Sequence, residues 1–201
     1  MKILDHLEEW IITFLMGGAT AVIFVAVVHR YAAGMRVPVV QDWLLSLNFS
    51  WAQELCIFMF VWMCKFGAAY GVRTGIHVGV DVLVNRLPDA WRAKSVYAAL
   101  FGGALFTAII GVLGTRFVWE NGMHHAVLSA FGLDTGDLPK GPTTPDLDWP
   151  TWIIYSAVPL GSFLMCFRFL QVGWGFVRTG RLPQHDASHV EGLGEEPAPA
   201  R

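Results

Sequence analysis

Four long apolar stretches divide the chain, at about 10–31, 51–72, 96–119 and 151–177. Each has the roughly 20 residues a helix needs to cross a hydrocarbon core. None shows the period-2 alternation of a membrane β-strand. Lipid offers backbone amides and carbonyls no water, so uninterrupted helices are the form such stretches take. The pattern predicts an all-α integral membrane protein, a four-helix transmembrane bundle over residues 1–180.

The polar residues between the spans add detail. Ser50 and Gln53 have capping-box spacing at the start of span two, with Glu54 in the first turn. Pro88-Asp89 is expected to begin a helix that runs on into span three, and Pro150 to open span four. Pro159 should kink span four. After a turn at Gly75, Val80, Leu83, Val84 and Leu87 follow i, i+3, i+4, i+7 spacing, which predicts a short amphipathic helix in the membrane interface. Alternating valines in the same stretch also fit an ordinary loop. The connection 121–150 is long. Met123, Val127, Leu128 and Phe131 predict one more short helix there, and its Gly/Pro/Asp-rich second half should be irregular. Its length fits an ordered functional loop or a loose linker equally. Residues 181–201, rich in Gly, Pro, Glu and Ala, read as a disordered cytoplasmic tail.

Composition supports the membrane reading. Hydrophobic residues make up 54% of the chain and charged residues only 15%, against about 25% charged in soluble domains. With 14 Lys+Arg against 16 Asp+Glu, there is no basic excess to neutralise nucleic-acid phosphates. Arg73, Arg86, Arg92 and Lys94 crowd the connection between spans two and three, and Arg178 and Arg181 follow span four. The positive-inside rule therefore places both termini in the cytoplasm. Eight of the nine tryptophans fall at or near span ends, as an aromatic belt requires, and Trp62 alone lies mid-span. Asp5, Glu8 and Glu9 stand where a signal peptide would be basic, so the first span is expected to stay in the membrane. Cys56, Cys64 and Cys166 lie within spans without metal spacing and read as packing residues.

Small residues mark packing faces. Ala99, Gly103, Thr107, Gly111 and Thr115 recur every four residues in span three. Span two has Gly67 and Gly71, and span four has Ala157 and Gly161. Helices associate in lipid through such faces, because burying apolar surface gains nothing there.

Candidate chemistry is sparse. Arg30 and Glu54 fall at the same membrane face on consecutive helices, where an ion pair would clasp them; separate hydration is the alternative. Lys65 lies eleven positions after Glu54, roughly 16 Å along a helix and too far to pair with it. Its charge costs at least about 2.5 kcal/mol at that depth unless it snorkels or finds a partner. It is expected to make an inter-helix contact or to face a carbonyl or acid of another subunit. Arg168 is expected to snorkel. His29 and His77 fall at opposite faces and cannot form a haem pair, so no cofactor is assigned. No catalytic set or metal motif is visible. Transport sites usually lie at the midplane on broken helices, and no acid lies there. A helper subunit is favoured over a cytochrome-type electron-transfer subunit or an autonomous small antiporter.

The ordered set Leu7-Glu8-Glu9-Trp10, Val28-His29-Arg30-Tyr31, Trp51-Ala52-Gln53-Glu54-Leu55, Val61-Trp62, Phe66 to Tyr70, and Gly75-Ile76-His77-Val78-Gly79-Val80-Asp81 resembles the small membrane subunit of tripartite ATP-independent periplasmic (TRAP) transporters. The stretch from Phe60 to Gly75, Lys65 included, is similar to subunits of four-carbon dicarboxylate systems. The resemblance implies a bacterial inner-membrane scaffold that packs on a large, sodium-coupled transport subunit and helps to dock a periplasmic substrate-binding protein. Arg30, Trp51, Glu54, Trp62, Lys65, Gly67, Gly71, His77 and Asp81 are the candidate interface or structural residues.

Overall fold

The computed structural model describes residues 2–34, 38–75 and 88–179. The predicted interfacial helix, His77, Asp81 and the tail 181–201 lie outside them. Helix α1 spans Lys2–Ala33, the short α2 Pro38–Ser46, α3 Ser50–Thr74 and α4 Asp89–Val118. The short α5 (His124–Ala130) and α6 (Thr151–Tyr155) precede α7, Ala157–Thr179. Four helical segments, Asp5–Ala33, Ser50–Thr74, Trp91–Ala130 and Thr151–Thr179, are long and apolar enough to cross a membrane.

Local sequence explains most of the boundaries. Helix α4 begins directly after Pro88, whose carbonyl accepts from the amides of Trp91 and Arg92. Helix α3 ends on Gly75, which takes the left-handed conformation (φ 72°) while its amide donates to Gly71 O. Its start differs from the expected capping box. The Ser50 amide donates to Asn48 Oδ1 at 2.9 Å, so a residue two positions upstream satisfies that donor. Where a kink was expected in span four, the helix is interrupted at Ser156, one turn ahead of the proline. Pro159 has no N–H to give the Tyr155 carbonyl, and α6 stops at Tyr155. Ser156 bridges to α7, with its amide on Trp152 O and its carbonyl accepting from Leu160.

The long helices stand in the order α1, α3, α7, α4. Neighbours in this row pack together, but no α-carbon of α1 comes within 8 Å of one in α4 or α7 among the described residues. The expected bundle is thus opened into a row. In water its bare faces would drive closure; in lipid they cost nothing to leave uncovered. Trp10, Phe14, Phe24 and Tyr31 of α1, and Phe101, Phe106 and Val112 of α4, remain exposed.

The small-residue row of span three does pack, against α7. A Cβ on Gly103 would meet the Phe169 ring, and one on Gly111 the Phe163 ring. Thr107 between them is buried, its hydroxyl donating to Gly103 O. Ala99 and Thr115 are exposed. Each four-residue step overshoots a 3.6-residue turn by about 40°, so the ends of the row rotate out of the contact. In α3, a Cβ added at Gly67 or Gly71 would meet nothing within 4 Å, so neither glycine is a close-packing notch within the described chain.

Candidate functional site: a polar knot and a hairpin clamp

Polar side chains collect at two levels, one near each end of the row. Helix α1 starts well ahead of its apolar stretch, which places Asp5, Glu8 and Glu9 on one face of its first turns. Arg73 comes from the last turn of α3 and Arg168 from the middle of α7. Arg168 Nε donates to Glu8 Oε1 at 2.9 Å, and its Nη1 to Gln171 Oε1 at 2.6 Å. Its Nη2 lies 2.7 Å from Glu8 Oε1 and 2.8 Å from Asp5 Oδ1. Arg73 reaches Asp5 at 3.0 Å and Glu9 at 2.6 Å. Asp5 therefore sits between two guanidiniums and joins three helices.

Arg168 and Glu8 are both fully buried, which corrects the expectation of a snorkelling arginine. The correction has a physical reason. Carboxylates of α1, beyond α3 in the row, are within reach of the long Arg168 side chain, and a fork of five donors fits them better than a snorkelling path to water. A buried pair holds only while both members are present. Glu8 Oε2 is buried without a hydrogen-bond partner among the described residues.

At the other end, Glu54 makes no clasp with Arg30. Glu54 Oε2 accepts from the backbone amides of Asp146 and Leu147 at 3.0 and 2.8 Å. The reason is helical phase. Cys56 faces α1, its thiol near Ala19 O at 3.4 Å, whereas Glu54 and Phe58 face the opposite way. Phe58 stacks on Trp149 with ring centroids 6.4 Å apart. Arg30 is exposed on a shallow groove beside Phe49, Ser50 and Gln53.

The loop that Glu54 holds is ordered. The amide of Thr144 donates to Trp149 O at 2.8 Å, and that of Thr151 to Pro142 O at 3.0 Å, closing a small hairpin. The Thr144 hydroxyl accepts from the Trp149 amide, and Asp148 takes a positive φ of 52°. Behind the hairpin, the continuation of α4 breaks at Asn121–Gly122, where Gly122 has φ 113°. Gly141, φ 77°, crosses directly over that break, and a Cβ at Gly141 would collide with the Asn121 carbonyl. Met123, Val127 and Leu128 do belong to or adjoin a short helix, α5. The connection is thus ordered rather than a loose linker.

The remaining candidates have local roles here. Trp51 Nε1 donates to Asn48 O at 3.1 Å, and Trp62 stacks on Phe66 at 5.9 Å. His29 Nε2 lies 2.8 Å from Leu44 O and its ring stacks on Phe49, so α1, α2 and the start of α3 meet there. Lys65 lays its Cβ, Cγ and Cδ against Gly161 of α7. No group of three or more His, Cys, Asp or Glu among the described residues could hold a metal ion. Sequence reasoning missed the polar knot, although Asp5, Glu8 and Glu9 at i, i+3, i+4 were a visible acidic face.

The two levels are nineteen residues apart on α3, from Glu54 to Arg73, or roughly 28 Å of helix. That matches the approximately 30 Å of a hydrocarbon core. An apolar row fastened at both ends has the form of a membrane-embedded frame. Comparison with known proteins identifies which. The family described as "Tripartite ATP-independent periplasmic transporters, DctQ component" matches residues 19–179. The chain belongs to that family, and is a multi-pass inner-membrane transport component rather than an enzyme. It is 47% identical to the C4-dicarboxylate TRAP transporter small permease protein DctQ of Rhodobacter capsulatus, over 98% of this chain and 87% of that one. It is 33% identical to the protein of the same name from Vibrio cholerae, over 92% and 77%. It is also 25% identical to the sialic acid TRAP transporter permease protein SiaT of Haemophilus influenzae, covering 90% of this chain but 24% of that longer protein. No solved structure matches.

Proposed function

We propose that this chain is the static scaffold subunit of a sodium-coupled TRAP importer for C4-dicarboxylates such as malate, succinate and fumarate. It braces a large membrane subunit that carries the substrate and sodium sites. Both termini face the cytoplasm, and the hairpin on Glu54 lies on the periplasmic side, where it forms part of the surface that docks the binding protein. The tail 181–201 and the interfacial segment around Val80 to Leu87 belong to the cytoplasmic side.

The observation that carries this reading is where the charges fall. Asp5, Glu8, Glu9, Glu54, Asp89 and Glu120 all lie at the ends of the long helices, so the row has no carboxylate at its middle to bind and release a cation. Its faces stay apolar and uncovered, as suits a part that is covered by lipid and by another chain. The arginine and lysine asymmetry supports the orientation. The relatives named for C4-dicarboxylates support the substrate class.

Proteoliposomes test the reading. With a sodium gradient, labelled succinate should accumulate only when this chain, the large subunit and the binding protein are all present. Accumulation driven by this chain alone overturns the scaffold role. Uptake of sialic acid in preference to succinate by the complete system overturns the substrate assignment.

A further inference from the structure

We infer that Lys65 is an intersubunit pin: its ammonium pairs, within the apolar slab, with a carboxylate on a span of the large transport subunit. This rests on the scaffold reading above and deepens it by naming the chemistry of the contact.

Three observations support the inference. Lys65 lies eleven residues after Glu54 and eight before Arg73, so roughly 16 Å and 12 Å of helix separate it from the two polar levels. Its stem is held between helices, because Cβ, Cγ and Cδ pack against Gly161, where any larger residue would displace them. And no hydrogen bond or ion pair reaches its Nζ among the described residues, while the carboxylates at both levels are engaged elsewhere.

Snorkelling does not resolve this. The nearer polar level lies toward the C-terminal end of α3, but a helical Cα–Cβ bond tilts toward the N-terminus. The stem therefore starts away from the nearer level, and its Cβ, Cγ and Cδ pack against Gly161. A lysine is a compact point charge that seeks an anion, and lipid provides none at this depth. The uncovered row leaves room for a neighbouring helix to bring one. No described residue of this chain brings a carboxylate to it, so the partner comes from the subunit that the row braces.

The test compares Lys65→Met, which keeps an unbranched stem on Gly161 but loses the charge, with Lys65→Arg, which keeps the charge. The readout is recovery of the large subunit with the tagged small subunit from detergent extracts, together with thermal unfolding of the small subunit alone. Lys65→Met should lower recovery about tenfold or more, and leave the unfolding midpoint of the isolated chain unchanged or higher. Lys65→Arg should retain most of the recovery. One Asp or Glu in the spans of the large subunit, changed to Asn or Gln, should reproduce the loss and add nothing further in the Lys65→Met background. Undiminished recovery with Lys65→Met overturns the pin, as does a loss that couples to no acidic residue of the large subunit. Failure of the unmodified chains to co-purify is a different result, and contradicts the scaffold reading itself.

Discussion

At the Arg168 end of the row, ionised side chains from three helices neutralise one another; at the loop end, one carboxylate holds two backbone amides. Both devices satisfy polar groups that would otherwise be stranded near lipid, but they differ in what they can lose. Arg168 and Glu8 are both sealed from solvent, so removing either leaves an opposite charge without a partner or water. Glu54 binds amides of a surface hairpin that water can reach once the carboxylate is gone. The first device is a condition for the row to assemble, and the second fixes the shape of a loop upon it.

Mutations can break this contrast or sharpen it. Arg168→Met should have the largest effect, lowering stability by about 3–5 kcal/mol, read as a fall in the thermal midpoint in detergent. Adding Glu8→Leu should recover much of that loss, since an apolar pair needs no desolvation. A double variant no better than the single one would mean that the charges do more than cancel. Gly111→Val probes the contact that lies between the two ends. Its side chain would meet the Phe163 ring, and overpacking of this kind costs roughly 1–3 kcal/mol. Glu54→Ala should cost less, about 1–2 kcal/mol. Its signature is local: faster amide exchange at Asp146 and Leu147 and new proteolytic cuts within 142–150, with α1 and α7 unaffected. Equal loosening across the whole molecule would erase the distinction between the two ends. Arg116→Ala should leave the thermal midpoint unchanged, because its pair with Glu120 at 2.8 Å is exposed on both sides.

The same contrast separates what the sequence discloses from what it hides. The presence of four apolar helices could be read because lipid imposes length and hydropathy directly. The α4 start at Pro88-Asp89, the α5 segment and the disturbance from Pro159 could also be read, each set by residues within one turn. The glycine notches of α4 were legible as a periodicity, although the periodicity could not say that Phe163 and Phe169 fill them. Contacts between distant residues were hidden. Glu54 binds main-chain atoms ninety-two and ninety-three positions away, and any residue type carries an amide, so no side chain in that loop advertises the partnership. Arg168 finds Glu8 across one hundred and sixty positions. Its acidic partners lie outside the apolar stretch that defined span one, and only the extension of α1 back to Lys2 brings them into register. Arg30 and Glu54 show the converse error: similar height on adjacent helices does not make a pair when helical phase turns one of them away.

The spacing of the two polar levels has a consequence for the membrane itself. A frame with fixed fastenings cannot shorten or stretch with its solvent, so a bilayer of the wrong thickness must deform around it or force it to tilt. Reconstituted in lipids with progressively longer acyl chains, the protein should therefore show an optimum rather than a plateau. Any companion chain that moves solute would inherit that preferred thickness from its immobile neighbour.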